Sequence, residues 1–425
     1  MTWRAQLRAV AQWIGLGAIV GVGCGAASAA FLFLLARATD YREGHAAIVY
    51  ALPLAGLVIG TLYARFGAPI QAGSNLVIDT IHDGGPELPF RMLPMVLIGT
   101  VLTHLFGGSA GREGTAVQMG ASLSDYLSHR ARLSSVLRGQ LLAAGVAGGF
   151  GSVFGTPIAG AIFGLELVVL GRIHSRALVP ALVASIAGDL TTRGLGIVHT
   201  AYPAAPHVAL TALLCAKWLV FALAVGLVSI AFIELTHLLK AQAQRVTHLG
   251  LRMAIGGAIV VALWQLLGTT DYLGLGISTI VRAFHDPALP VWAFAAKLAF
   301  TAITLGAGFL GGEVTPLFFI GATLGGVLAP ALGIPRELGA GVGMAAVFAT
   351  ASNTPIALSI MAVELLGADV LPHVMIVCAV GYLISGHRSI YPSQRVRDGK
   401  LGGGPARATR LRDLRDESGP SESAR

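Results

Sequence analysis

The chain has 425 residues, of which 55% are hydrophobic and only 12% charged, and it carries a formal net charge of +8. Soluble globular chains are about 25% charged, so water is excluded as the solvent for most of this surface and a bilayer is indicated. The 56 glycines show no short period; this excludes a fibrous chain and suits close helix approach and helix breaks within a membrane.

Taken in chain order, Arg4 and Arg8 precede an apolar run over 11–36 that is too long for a cleaved signal and is read as a first span. Gln71-Ala72-Gly73-Ser74-Asn75 leads into a short apolar stretch and offers a hydroxyl and an amide where a helix begins, although alone it reads equally well as a polar turn. Gly111-Arg112-Glu113-Gly114-Thr115 opens a segment over 113–127, and Gly155-Thr156-Pro157 opens another over 157–171. The Pro-containing stretch 200–207 reads as a link, and 211–240 is long enough to span. Thr315-Pro316 and Asn353-Thr354-Pro355 open further short segments. The end is rich in arginine from Arg388 onward, which places both termini in the cytoplasm by the usual bias of Lys and Arg and calls for no nucleic acid. Residues 395–425 read as a disordered tail. Cys24, Cys215 and Cys378 lie far apart without metal-ligand spacing, so they read as packing residues. No cofactor is implied.

The chain repeats itself. Gly-x-Glu-x-Thr at 111–115 recurs at 311–315, Gly120-Ala121-Ser122-Leu123 resembles Gly321-Ala322-Thr323-Leu324, and Thr156-Pro157-Ile158-Ala159 recurs at 354–357. Glu166 and Glu364 follow the last pair at the same distance, and His82-Asp83 matches His285-Asp286. Such matches, in order and at a nearly constant offset, indicate a duplication with units over 10–200 and 208–390. The corresponding short segments, bounded by Gly and Pro, are shorter than the roughly 20 residues of a straight span. They predict discontinuous helices meeting at a midplane site. Their starts carry free N–H groups and the positive end of the helix dipole, so converging starts predict an anion site, with Thr156, Thr315 and Thr354 as caps.

Glu113 and Glu313 are the informative acids. A carboxylate in apolar surroundings tends to protonate, and acids within membranes mark ion paths and proton relays. Beside an anion site, an ionised carboxylate occupies the site and a protonated one leaves it, which couples proton to anion. Pairing of Glu113 with Arg112 is disfavoured because adjacent residues on a helix do not face each other. Glu166 and Glu364 end their segments and read as caps or as solvent-facing groups. An intramembrane enzyme is a rival reading, but no HExxH or GxSxG motif is present. A non-transporting scaffold leaves the matched acids without a purpose.

Gly111-Arg112-Glu113-Gly114-Thr115, Gly311-Gly312-Glu313-Val314-Thr315-Pro316, Gly73-Ser74-Asn75 and the run TPIAGAIFGLE at 156–166 together resemble the CLC anion channels and transporters over about residues 10–395. The resemblance implies an all-α polytopic membrane protein: a CLC-type inverted repeat of tilted, partly discontinuous helices, assembled as a homodimer with one pore per subunit. It implies that Glu113 is the gating glutamate, that Gly73, Ser74, Asn75, Gly111, Arg112, Gly114, Thr115, Val314 and Thr315 surround the anion, and that Tyr391 lines the central site. Thr115, Asn75, the Glu313-Val314-Thr315 segment and Leu167 depart from the chloride pattern and resemble the fluoride-exporting branch, the CLC-F fluoride/proton antiporters. The resemblance therefore implies fluoride and proton as partners in the cell inner membrane, with Glu313 taking the inner proton role; a chloride-selective CLC channel or chloride/proton antiporter is the alternative. Fluoride is costly to dehydrate, so its site needs direct donors, which Ser74, Asn75, Thr315 and Tyr391 can supply.

Overall fold

The computed structural model describes residues 3–85, 87–402, 405 and 408–417. Among the described residues, the first sixteen α-helices form two series of eight. The first is α1 (Trp3–Gly44), α2 (Leu52–Phe66), α3 (Ser74–Asp83), α4 (Met92–Leu105), α5 (Glu113–Arg130), α6 (Ser135–Phe154), α7 (Pro157–Glu166) and α8 (Leu178–Gly194). The second is α9 (Ala212–Ala243), α10 (Leu249–Leu267), α11 (Ile277–Arg282), α12 (Ala293–Ala307), α13 (Val314–Ala331), α14 (Arg336–Ser352), α15 (Pro355–Leu366) and α16 (Leu371–Ile384). Packing partners correspond as well: α1 lies on α6 and α8 as α9 lies on α14 and α16, and α5 packs on α6 as α13 packs on α14.

The lipid-facing character follows from what lies outside. Leu54, Leu213, Val220 and Leu227 are large apolar side chains more than half exposed on α2 and α9, a surface that only hydrocarbon solvates well. Among the described residues, five helices are long and apolar enough to cross a membrane, and α1, with 42 residues, is among them. At 1.5 Å per residue it extends about 63 Å, so it tilts across the bilayer or projects from it.

Inside, the packing is set by small residues. A Cβ on Gly120 would run into the Gly145 carbonyl, and one on Gly321 would run into that of Gly343. These matched pairs bring α5 onto α6 and α13 onto α14 at backbone distance. The short helices differ from their expected bounds. α5 and α13 each run 18 residues, with α5 continuing through the polar Ser128-His129-Arg130, whereas α7 stops after 10 at Glu166. Thr315 is not a cap: α13 begins at Val314, with Glu313 at the capping position.

The two series meet through reciprocal contacts. Gly111 N–H donates to the Gly312 carbonyl (2.6 Å) and Gly312 N–H donates to the Gly111 carbonyl (2.8 Å), an antiparallel bridge between the two Gly-x-Glu-x-Thr loops. Glu364 accepts from the N–H groups of Ile158 and Ala159 at the start of α7 (3.0 and 2.8 Å). Glu166 accepts from those of Ile356 and Ala357 at the start of α15 (3.2 and 2.8 Å). Each series thus caps the other's helix. Thr156 and Thr354 make no capping bond of their own, and these two helix starts are already occupied rather than open to an anion, which corrects the picture of four converging starts.

The tail also differs from expectation. β1 (Arg395–Val396) pairs antiparallel with β2 (Thr409–Arg410), and α17 (Leu411–Glu417) follows. Val396 and Leu411 are buried with Leu170. Arg395 reaches Asp79 (3.1 Å) and Asp83 (2.5 Å), and Arg410 reaches the same two acids (3.2 and 2.9 Å). Two apolar anchors and an arginine clasp on α3 hold a segment whose composition alone reads as disordered; residues 418–425 lie outside the described residues.

Candidate functional site

The site grows from the start of α3. Gly73 has φ +56°, a left-handed conformation that favours glycine, and a Cβ there would lie 3.2 Å from Gln118 Nε2. This turn aims Ser74 and Asn75 into a cavity of about 390 Å³. Thr115, Glu313 and Tyr391 line the same cavity. A second space of about 520 Å³ shares Asn75, Glu313, Lys240 and Gln244 with it and reaches Arg412 of α17, so the two form one passage toward the tail face.

The polar groups are oriented by their neighbours. The Asn75 Oδ1 accepts from Ser393 N–H (3.0 Å), which leaves the Asn75 amide NH₂ for the cavity. The Ser74 hydroxyl accepts from Gln118 Nε2 (3.3 Å), leaving its own proton to donate. Thr115 is hydrogen-bonded to Thr100, Oγ1 to Oγ1, at 2.7 Å. The Tyr391 N–H donates to Ser389 Oγ (2.9 Å), and its ring is 4% exposed, within electrostatic reach of Glu313 and Glu113. The wall therefore presents donors, as an anion requires.

Glu113 stands at the closed end of this arrangement. It is fully buried at the first position of α5. Its Oε2 accepts from the N–H groups of Arg112 (3.0 Å) and Thr315 (3.2 Å), and its Oε1 accepts from the Thr315 hydroxyl. The carboxylate thus sits on the N-terminus of α13, where free N–H groups and the helix dipole favour negative charge. Arg112 Nε lies 3.5 Å from Glu113 Oε1. That corrects the expectation against this pair: Arg112 precedes the helix, so the rule for adjacent helical residues does not govern it.

Glu313 lines both spaces and is only part-buried, unlike Glu113. Its Oε2 comes within 3.9 Å of where a Cβ on Gly114 would sit, so the two Gly-x-Glu-x-Thr loops place one acid inside the barrier and the other in the passage. Val314 is 1% exposed, packed in the core and not part of the cavity wall. Leu167 is equally buried, with its carbonyl accepting from Gln394 Nε2 (2.9 Å). A third, separate space of about 430 Å³ is lined by Arg42 and, among others, Val49 and Leu273. Those two side chains also lie against Gly107, a few residues before Glu113.

The polar lining residues that sequence reasoning missed are Thr100, Gln118, Tyr63, Gln244, Lys240 and Arg252. Gln118 was within reach, because it lies three residues beyond Thr115 on one helix face. The others arrive from distant helices and carry no local signal.

Comparison with known proteins agrees with this architecture. A family model described as voltage gated chloride channel matches residues 55–386. A "chloride/fluoride channel protein" of Pseudomonas syringae pv. tomato is 45% identical over 98% of this chain and 93% of its own. A crystal structure of a CLC-type fluoride/proton antiporter superposes with a TM-score of 0.89 at 37% identity, covering 93% of this chain and 100% of that one. A slow cyanobacterial Cl⁻/H⁺ antiporter superposes with a TM-score of 0.78, covering 88% and 94%; at 18% identity it shares the fold alone.

Proposed function

The chain belongs to the voltage gated chloride channel family, and from that premise we propose that it is a fluoride/proton antiporter that exports fluoride. One observation carries the reading: the Glu113 carboxylate lies on the N–H and hydroxyl of Thr315, where an anion would otherwise bind. The likeness to a CLC-type fluoride/proton antiporter over nearly the whole chain supports it.

In this mechanism ionised Glu113 occupies the start of α13 and blocks the path. Protonation removes the charge that holds it there, the side chain swings out, and fluoride takes its place. Fluoride loses water only where donors replace it, and Ser74, Asn75, Thr115, Thr315 and Tyr391 provide them, with Gly73, Gly111, Arg112, Gly114 and Val314 shaping the loops that present them. Leu167 carries no proton, so Glu313, facing the passage, relays protons to the tail side. Both termini lie in the cytoplasm of a plasma-membrane homodimer with one pore per subunit. The test is efflux from liposomes recorded with fluoride- and chloride-selective electrodes: fluoride should leave faster. Chloride efflux equal to or faster than fluoride would favour a chloride transporter instead.

A further inference from the structure

Asn75 offers a donor to an anion in only one of its two amide orientations. An amide carries an acceptor oxygen and a donor nitrogen, and a half-turn about its last bond exchanges them. The partner on the far side decides between the two. Here that partner is the Ser393 N–H, which can only donate, 3.0 Å from Asn75 Oδ1.

Ser393 holds α3 at a second point. Its hydroxyl donates to Asp79 Oδ2 (3.0 Å), and Asp79 follows Asn75 by four residues, on the same helix face. Ser393 is itself fully buried and fixed from several sides. Its carbonyl accepts from Arg395 Nη1 (2.9 Å). The neighbouring Gln394 Nε2 donates to the Leu167 and Ser352 carbonyls (2.9 and 2.8 Å). The Leu411 and Arg412 N–H groups of α17 donate to the Gln394 and Pro392 carbonyls (3.0 and 3.1 Å).

A tail clasp alone does not need this grip. Arg395 and Arg410 reach Asp83 (2.5 and 2.9 Å) as well as Asp79 (3.1 and 3.2 Å). Among the described residues only Asp79 accepts from the Ser393 hydroxyl.

We propose that Asp79 and Ser393 are positioning residues for the choice of anion: Asp79 sets Ser393, Ser393 sets the Asn75 amide, and the amide meets the anion with its NH₂. The proposal rests on the transport reading above and adds to it two residues that line neither space of the passage. Without the grip the amide is free to turn its oxygen inward, where it repels an anion. Fluoride suffers more than chloride, because its costlier dehydration has to be offset by donors.

Initial rates of fluoride and chloride efflux from liposomes, read with selective electrodes, test this as a double-mutant cycle. Asp79→Ala and Ser393→Ala should each lower the fluoride-to-chloride rate ratio roughly tenfold. In an Asn75→Ala background neither should lower it further, because the group they orient is gone. Asp79→Asn keeps an acceptor oxygen for the Ser393 hydroxyl and should keep most of the ratio. Asp83→Asn loosens the arginine clasp and leaves the grip intact, so it should lower the thermal midpoint and keep the ratio. An unchanged ratio in Asp79→Ala and Ser393→Ala, a further drop in the Asn75→Ala background, or an equal drop in Asp83→Asn would overturn the proposal. Isothermal titration calorimetry of fluoride and chloride binding in detergent repeats the cycle without transport. If the unaltered protein moves no fluoride, the transport reading fails by itself and the binding cycle decides the positioning claim. A loss of fluoride affinity that vanishes in the Asn75→Ala background supports it; additive losses, or no fluoride binding by the unaltered protein, contradict it.

Discussion

The Glu113 carboxylate is held by both the N–H and the hydroxyl of Thr315, a residue 202 positions away in the other Gly-x-Glu-x-Thr loop. Duplication alone would make the two loops equivalent. Their meeting makes them unequal, because one supplies the acid and the other the helix start that receives it.

Thr315→Ala should therefore loosen the seat of Glu113 and remove a donor to fluoride together. A hydrogen bond to a charged group contributes about 1.5–3 kcal/mol, so fluoride flux in liposomes should fall roughly ten- to a hundredfold. Thr315→Ser keeps the hydroxyl and should stay near the unaltered rate.

Asn75 tests the donor character of the cavity. Its Oδ1 is fixed by Ser393 N–H, so only its NH₂ faces the anion. Asn75→Asp keeps the shape but turns that donor into a negative acceptor, and fluoride transport should be abolished. Asn75→Ala should weaken transport without abolishing it. A fluoride electrode on reconstituted liposomes distinguishes the two outcomes.

Glu364 and Glu166 are assigned to stability rather than transport. Glu364→Ala frees the N–H groups of Ile158 and Ala159, and loss of a helix cap costs about 1 kcal/mol. The thermal midpoint in detergent should drop, with flux per folded molecule unchanged. Glu166, 4% exposed, should cost more than the part-buried Glu364 because its N–H partners lie farther from water.

Lys400 gives the tail a pH signature. Its ammonium donates to Asn353 Oδ1 (2.5 Å), the Tyr382 carbonyl (2.6 Å) and Ser385 Oγ (2.9 Å), and burial pushes its pKa down to about 7. The unfolded chain keeps the ordinary high lysine value. Between pH 7 and that value the unfolded state binds more protons, so stability rises with pH across this window. The thermal midpoint should climb from pH 7 to pH 9, and Lys400→Met should flatten the climb.

Much of this was legible in the sequence because duplication displays its matched motifs. The Gly-x-Glu-x-Thr loops and the Gly73-Ser74-Asn75 start carry local patterns, whereas Tyr391 follows only from the CLC resemblance; Gly73, Ser74, Asn75, Thr115 and Tyr391 meet at one cavity. What stayed hidden were contacts between distant segments. Glu166 and Glu364 cap helices about 200 residues away, so no spacing rule relates them to their partners. The tail read as disordered because Val396, Leu401, Leu411 and Leu414 are its only large apolar residues among many charges, and nothing local shows that Val396 and Leu411 are buried. Their burial depends on Leu170 and on Asp79 and Asp83, which lie far away in the chain.

The central claim is that protonation of Glu113 is exchanged for fluoride. The most direct test loads liposomes with fluoride, dissipates the membrane potential, and records external pH and fluoride together. Fluoride efflux should drive proton uptake against no initial pH gradient, and Glu113→Gln should abolish that uptake. Fluoride efflux with no proton movement, or coupling that survives Glu113→Gln, would contradict the account.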